Sequence, residues 1–210
     1  MFLDRRDAGE QLAEALRQRL EGNVVVLGIP RGGVIVAEAV GRALSAPLDV
    51  VVPRKVGAPQ NPELAIGAIA PGVRVWDRYL IERLRVDESY LDREVTVQET
   101  EIARRTATYR AGREPADLSG KTVVIVDDGL ATGATAVAAC RWVRGQGAAR
   151  VIVAVPVAPP ESIARLAGEA DDAVALLAPP DFRAVGEWYQ SFEQTTDEEV
   201  VEAMAKGRAR

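Results

Sequence analysis

The stretch richest in chemical possibility is Val123-Val124-Ile125-Val126-Asp127-Asp128-Gly129-Leu130-Ala131-Thr132-Gly133-Ala134-Thr135, which runs on into the helical pattern Ala136 to Val143. Four apolar residues suited to a buried strand deliver two carboxylates at its carboxyl end, where open α/β sheets take their ligands. Carboxylates there can accept hydrogen bonds from the vicinal hydroxyls of a sugar. Ala131, Thr132, Gly133, Ala134 and Thr135 are small or hydroxylic and open a helix. Backbone N–H groups, the helix dipole and two threonine hydroxyls can therefore converge on one phosphate, an approach that bulky side chains would block. The plainer reading is an ordinary turn in which Asp128 or Thr132 caps the helix. Asp-Asp alone fits that reading, whereas the full order of strand, acids, small loop and helix favours a phosphosugar site.

A second strand, loop and helix start is Val24-Val25-Val26-Leu27-Gly28-Ile29-Pro30-Arg31-Gly32-Gly33, with a helix from Val34. Gly32 and Gly33 permit unusual backbone angles and close approach by a ligand, and Arg31 beside them can meet a second anion such as pyrophosphate. Arg-Gly-Gly alone is usually only a βα turn; its weight comes from its pairing with the acid motif. A third strand, Leu48 to Val52, runs into Pro53-Arg54-Lys55-Val56-Gly57-Ala58-Pro59, setting two cations at a neighbouring strand end. They read either as surface charges or as further anion ligands.

Several classes fall away. The chain has no histidine, which removes histidine-dependent nucleophiles, histidine bases and histidine-containing zinc sites. The lone Cys140, among Ala138, Ala139 and Trp142, reads as an inert packed thiol and points to a reducing compartment. A formal charge of -5 disfavours a broad nucleic-acid footprint. Ser119-Gly120-Lys121-Thr122 ends like a phosphate-binding P-loop, but Pro115 stands where the earlier glycine is needed and a strand follows in place of a helix. No Gly-x-Gly-x-x-Gly follows the first strand.

The elements that must position these residues read as β-α-β units. Five strands are expected at Val24 to Gly28, Leu48 to Val52, Thr122 to Val126, Val151 to Val155 and Ala173 to Leu177, with helices at Gly9 to Leu20, Val34 to Leu44, Ala134 to Gln146 and Pro160 to Ala167. The fold class is α/β: a three-layer α/β/α arrangement on a mostly parallel five-stranded sheet. The 210 residues suit a single domain. About seventy residues separate the second strand from the third, far more than a crossover needs, so an insertion over about 56–118 is expected. In it, Leu64 to Ala70 and Val73 to Trp76 flank Pro71-Gly72 as a hairpin, and Asp87 to Tyr109 reads as a long charged helix, either a solvated arm or subunit contact or a lid. Thr196-Asp197-Glu198-Glu199 has the spacing of a capping box and opens a terminal helix. Met1 to Gln11 lacks an apolar signal region and no apolar run approaches the roughly 20 residues of a membrane span, so a cytoplasmic location with no membrane partner is expected.

The Val123 to Thr135 string resembles the phosphoribosyl-diphosphate binding motif of the type I phosphoribosyltransferases. The resemblance implies that Asp127 and Asp128 hold the ribose hydroxyls and that Ala131, Thr132, Gly133, Ala134 and Thr135 hold the 5-phosphate. It further implies that Arg31, Gly32 and Gly33 form the pyrophosphate loop, with a strained or cis peptide suspected at Pro30-Arg31. Arg54 and Lys55 are similar to the cations that meet pyrophosphate in adenine-type members, and the insertion occupies the place of the family's flexible loop. Four of the ten aromatics lie within Pro179 to Phe192, in a C-terminal hood and helix over about 179–210. Such aromatics cluster mostly for packing, but the resemblance places a base-binding hood at this end of the sheet, with Phe182, Trp188 and Tyr189 as the base-binding candidates. The implied activity is a transferase reaction that moves the phosphoribosyl group to a nitrogen acceptor, taken as a purine-type base, with release of pyrophosphate. Mg2+ accompanies the substrate, with Asp127 as its indirect contact. The aspartate that 6-oxopurine members carry in the phosphate loop is replaced here by Ala131. A regulatory protein that binds phosphoribosyl diphosphate or a nucleotide without turnover is the alternative from another class, and a phosphosugar isomerase is the third. The partners are small molecules, and the charged arm suits a homodimer.

Overall fold

Valine-rich runs with both faces apolar must be covered on both sides, and they form the centre of the sheet. The structure is a computed structural model and describes residues 1–207. In chain order the elements are α1 (Arg5–Leu16), β1 (Val24–Gly28), α2 (Gly32–Leu44), β2 (Leu48–Val50), β3 (Arg54–Ala58), β4 (Asn61–Ala70), β5 (Val73–Trp76), α3 (Arg78–Leu84) and α4 (Glu88–Arg110). They continue with β6 (Thr122–Val126), α5 (Ala134–Gly145), β7 (Arg150–Val157), α6 (Pro160–Ala164), β8 (Asp172–Leu177), a 3-10 turn at Val185–Trp188 and α7 (Asp197–Lys206).

The five-stranded sheet has the order β2-β1-β6-β7-β8 with every pairing parallel. Its register sorts the two faces. Leu48, Val26, Val124 and Ile152 lie side by side and pack with α1, α2 and α7, while Leu27, Ile125 and Val153 form the adjacent row and pack with α5. The expected three-layer α/β/α architecture is therefore present. Cys140 sits wholly buried in the second layer, and burial pushes its thiol up to about 12.

Two boundaries differ instructively. Helix α1 starts at Arg5 because the Asp4 carboxylate accepts from the N–H groups of Arg6 and Asp7 at 2.8 and 2.9 Å, a cap that moves the helix four residues ahead of the expected Gly9 start. The hairpin around Pro71-Gly72 is present, but it belongs to a three-stranded antiparallel sheet, β3-β4-β5, whose first strand contains Arg54 and Lys55.

Helix α4 is fastened to the body. Val95, Ile102 and Tyr109 are buried in the core, the Tyr109 hydroxyl donates to Asp197 at 2.7 Å, and Arg110 Nε lies 3.0 Å from the buried Asp49 carboxylate. Burial and the Asp197 contact push the Tyr109 hydroxyl up to about 12. Thr196 and Glu199 form the reciprocal cap of α7. Residues 208–210 of the expected C-terminal segment lie outside the described residues. Among the described residues no helix is long and apolar enough to cross a membrane.

Candidate active site

From β1 the chain passes through α2 to β2 on one side; from β6 it passes through α5 to β7 and β8 on the other. The strand order reverses between β1 and β6, which opens a crevice at their carboxyl ends. A cleft of about 260 Å³ lies there, lined by Pro30, Pro53, Lys55, Asp127, Thr132 and Val185 among others.

One wall is the start of α5. Gly133 occupies the N-cap at φ 74°, a backbone conformation suited to glycine, and no side chain caps the helix. Neither Asp128 nor Thr132 plays the capping role of the plainer reading. Behind the loop, the Ser162 hydroxyl donates to the Ala131 carbonyl at 2.5 Å and Arg165 donates to the Thr132 carbonyl at 3.0 Å. In a trans peptide the next N–H points opposite to the carbonyl, so the N–H groups of Thr132 and Gly133 are turned away from α6. Ala131, Thr132, Gly133 and Thr135 all line the cleft, while Ala134 faces an adjoining cavity of about 270 Å³ beneath the hairpin. Such an arrangement of backbone N–H groups can seat an anion. Ser162 and Arg165 went unnoticed in the sequence, where nothing marks residues thirty positions away as its support.

The other wall includes Asp127, with Asp128 next to it in the chain but outside the lining. Asp127 Oδ1 accepts from the Asp128 N–H at 2.8 Å. Burial, and then the neighbouring Asp128 charge, raise the Asp127 carboxyl well above the usual range, with Lys55 pulling weakly the other way. Asp128 is held from three sides. Arg5 Nε lies 2.8 Å from its Oδ2, its carbonyl accepts from the Tyr189 hydroxyl at 2.6 Å, and its carboxylate lies against the start of α2. A Cβ on Gly32 would collide with Asp128 Oδ2, and one on Gly33 would fall 2.7 Å from the Asp127 Cα. The room these glycines leave is thus filled by the protein's own carboxylates.

The remaining candidates separate. The Pro30-Arg31 peptide is cis, as suspected. The Arg31 side chain turns to α7, 3.9 Å from Asp197. Lys55 lines the cleft, but Arg54 points to the opposite face of β3 and donates to Gln98 Oε1 of α4 at 2.8 Å, where burial and then Arg105 lower its pKa. Successive side chains of a strand face opposite ways, so Arg54 and Lys55 point to opposite faces of β3. Phe182, Trp188 and Tyr189 are not among the cleft-lining residues; Val185 is. Tyr189 is buried between Phe2 and Phe192, ring centroids 5.4 and 5.0 Å away, and burial raises its hydroxyl pKa. Trp188 packs on the same cluster, its indole N–H buried and without a hydrogen-bond partner among the described residues. These aromatics build the support behind Asp128.

Among the described residues no group of three or more acidic, cysteine or histidine side chains could hold a metal ion. Asp127 is the carboxylate that opens on the cleft, a donor set that fits an ion retaining most of its other oxygens from water and substrate, as Mg2+ does.

A family description, the phosphoribosyl transferase domain, matches residues 2–173. A Mycobacterium tuberculosis H37Rv protein named "Putative phosphoribosyl transferase Rv0571c" is 50% identical over 202 residues, which cover 96% of this chain and 46% of that protein; the chain spans about half the length of this curated relative. The crystal structure of TT1426 from Thermus thermophilus is 49% identical, covers 97% of each chain and superposes with a TM-score of 0.81. A uracil phosphoribosyltransferase from a Nocardioides species is 42% identical over 67 residues, covering 32% of this chain and 31% of the relative.

Proposed function

The chain belongs to the phosphoribosyltransferase family, and from that premise we propose that the cleft binds phosphoribosyl diphosphate with Mg2+ and transfers its 5-phosphoribosyl group to a ring nitrogen of a purine-type base, releasing pyrophosphate. The observation that carries this reading is the uncapped start of α5 beside the acid pair, at the point where the strand order reverses. In this reading the N–H groups of the 131–135 loop and the Thr132 and Thr135 hydroxyls take the 5-phosphate. Asp127 and Asp128 accept from the ribose hydroxyls.

Lys55 and the Pro30-Arg31-Gly32-Gly33 turn face the pyrophosphate. Arg31 reaches that anion only by leaving Asp197, and Arg54 stays with α4. The C1–O bond breaks with its electron pair leaving on pyrophosphate, the acceptor lone pair forms the C1–N bond, and the acceptor's proton passes to solvent. Such a step asks for two anionic ends held in place and for charge neutralised on the leaving group, which this chain can supply without histidine. Mg2+, when bound, neutralises charge on pyrophosphate, and Asp127 would meet it through water. The apolar surfaces of Ile29, Leu130 and Val185 suit the faces of a flat heterocycle.

The test is an assay of pyrophosphate release with Mg2+, phosphoribosyl diphosphate and a panel of purines and pyrimidines. Turnover with a purine is the expected result. Turnover with uracil alone overturns the acceptor, and tight binding without turnover on any base replaces the transferase by a sensor. No uptake of phosphoribosyl diphosphate overturns the reading as a whole.

A further inference from the structure

Arg5 is the first residue of α1, and 123 positions separate it from Asp128. Its side chain is only 12% exposed, an unfavourable place for a guanidinium unless its donors are satisfied. They are met by a spread of partners. Nε faces Asp128 Oδ2 at 2.8 Å, a terminal nitrogen donates to the Glu193 carbonyl at 2.8 Å, and the guanidinium carbon lies 3.9 Å from the centroid of the Phe192 ring. Arg5 is absent from the lining of the cleft and borders a separate polar hollow between α1 and α7, so it reaches Asp128 from behind. Phe192 also stacks against Tyr189, whose hydroxyl holds the Asp128 carbonyl. The guanidinium therefore closes a ring of contacts joining α1, the acid pair, the start of α2 and the segment after the 3-10 turn.

We infer that Arg5 is a positioning residue for the sugar half of the site, fixing the direction of the Asp128 carboxylate beside Asp127, the acid that opens on the cleft. The inference rests on the reading above, in which those acids take the ribose. A carboxylate next to a second carboxylate swings away unless something opposes the repulsion, and a planar fork gives direction as well as charge. Arg5 Nε lies close to Gly32, but its side-chain hydrogen bond is to the Asp128 carboxylate, so its direct influence falls on the sugar half of the site.

The experiment measures, by calorimetry on the full chain, the affinities of Mg2+-phosphoribosyl diphosphate and of Mg2+-pyrophosphate, which has no sugar. Arg5→Met is expected to weaken the first by about 10- to 100-fold, in keeping with a lost charge-assisted contact, and to leave the second within about twofold, the scatter of a surface substitution. Arg5→Lys should restore part of the loss, because an ammonium supplies charge without the fork. Equal loss for both ligands would mean a merely structural role and overturn the inference. Unchanged or tighter binding of the sugar would do so too, the latter marking Arg5 as a competitor for Asp128. Should Arg5→Met fail to fold, Arg5→Lys decides alone: a selective loss for the sugar supports the inference, while equal loss or no loss in both ligands overturns it. Wild-type protein that takes up no phosphoribosyl diphosphate removes the functional reading and this inference with it, whereas wild-type uptake matched by both variants removes this inference only.

Discussion

Helices α2 and α5 start at the ends of neighbouring parallel strands, each without a side-chain cap. They differ in what stands beside their first residues. At α2 the space over Gly32 and Gly33 is taken by Asp128, Asp127 and Arg5, whereas at α5 Thr132 is exposed and the loop borders open cleft. Two similar turns thus differ in their surroundings, one packed against the protein's own carboxylates and one bordering open cleft.

That contrast can be broken at several points. Replacing Asp127 and Asp128 together by alanine should cost the largest effect, about 100-fold or more in affinity for phosphoribosyl diphosphate, since each carboxylate contact is worth about 1.5–3 kcal/mol; calorimetry reads it. Next, Thr132→Phe should lower that affinity at least about tenfold by filling the seat, a loss of about 1.4 kcal/mol or more, with a melting temperature close to wild type because position 132 is exposed. Gly33→Ala should do the reverse, costing about 1–3 kcal/mol of stability by overpacking against the Asp127 backbone, as read by denaturant unfolding. If Thr132→Phe destabilised the fold and Gly33→Ala did not, the roles of the two turns would have to be exchanged.

Ser162→Ala should cost about 1 kcal/mol and a few-fold in phosphate affinity, by releasing the Ala131 carbonyl. The smallest effect on ligand binding belongs to Tyr109, remote from both turns. Its hydroxyl stays protonated to about pH 12 in the fold and to about pH 10 in the unfolded chain. Its contribution is therefore complete below pH 10 and lost as pH rises through 12. The stability of wild type should fall more steeply across that window than that of Tyr109→Phe.

The parallel sheet was legible because valine runs with two apolar faces have few other homes, and the acid motif was legible because its strand, loop and helix are consecutive. The inserted strand β3 was not. Arg54-Lys55-Val56-Gly57-Ala58 has little apolar alternation, and it becomes a strand through its pairing with β4. Missing that strand hid the alternation that sends Arg54 and Lys55 to opposite faces. The aromatics of 179–192 showed their number but not their direction, and Tyr189 turned inward to the Asp128 carbonyl. Arg5 and Ser162 gave no local signal, since their partners lie 123 and 31 positions away.

Asp49 sits 3% exposed in the edge strand β2, where its carboxylate is met by Arg110 Nε and by the N–H groups of Val50 and Ala116. Two of those three donors come from the far end of the inserted arm and the linker that follows. Anyone trimming or exchanging that arm would strand a buried anion at the rim of the sheet, at a cost of several kcal/mol. A graft of different length should therefore carry its own arginine to this position or arrive together with a neutral residue at 49.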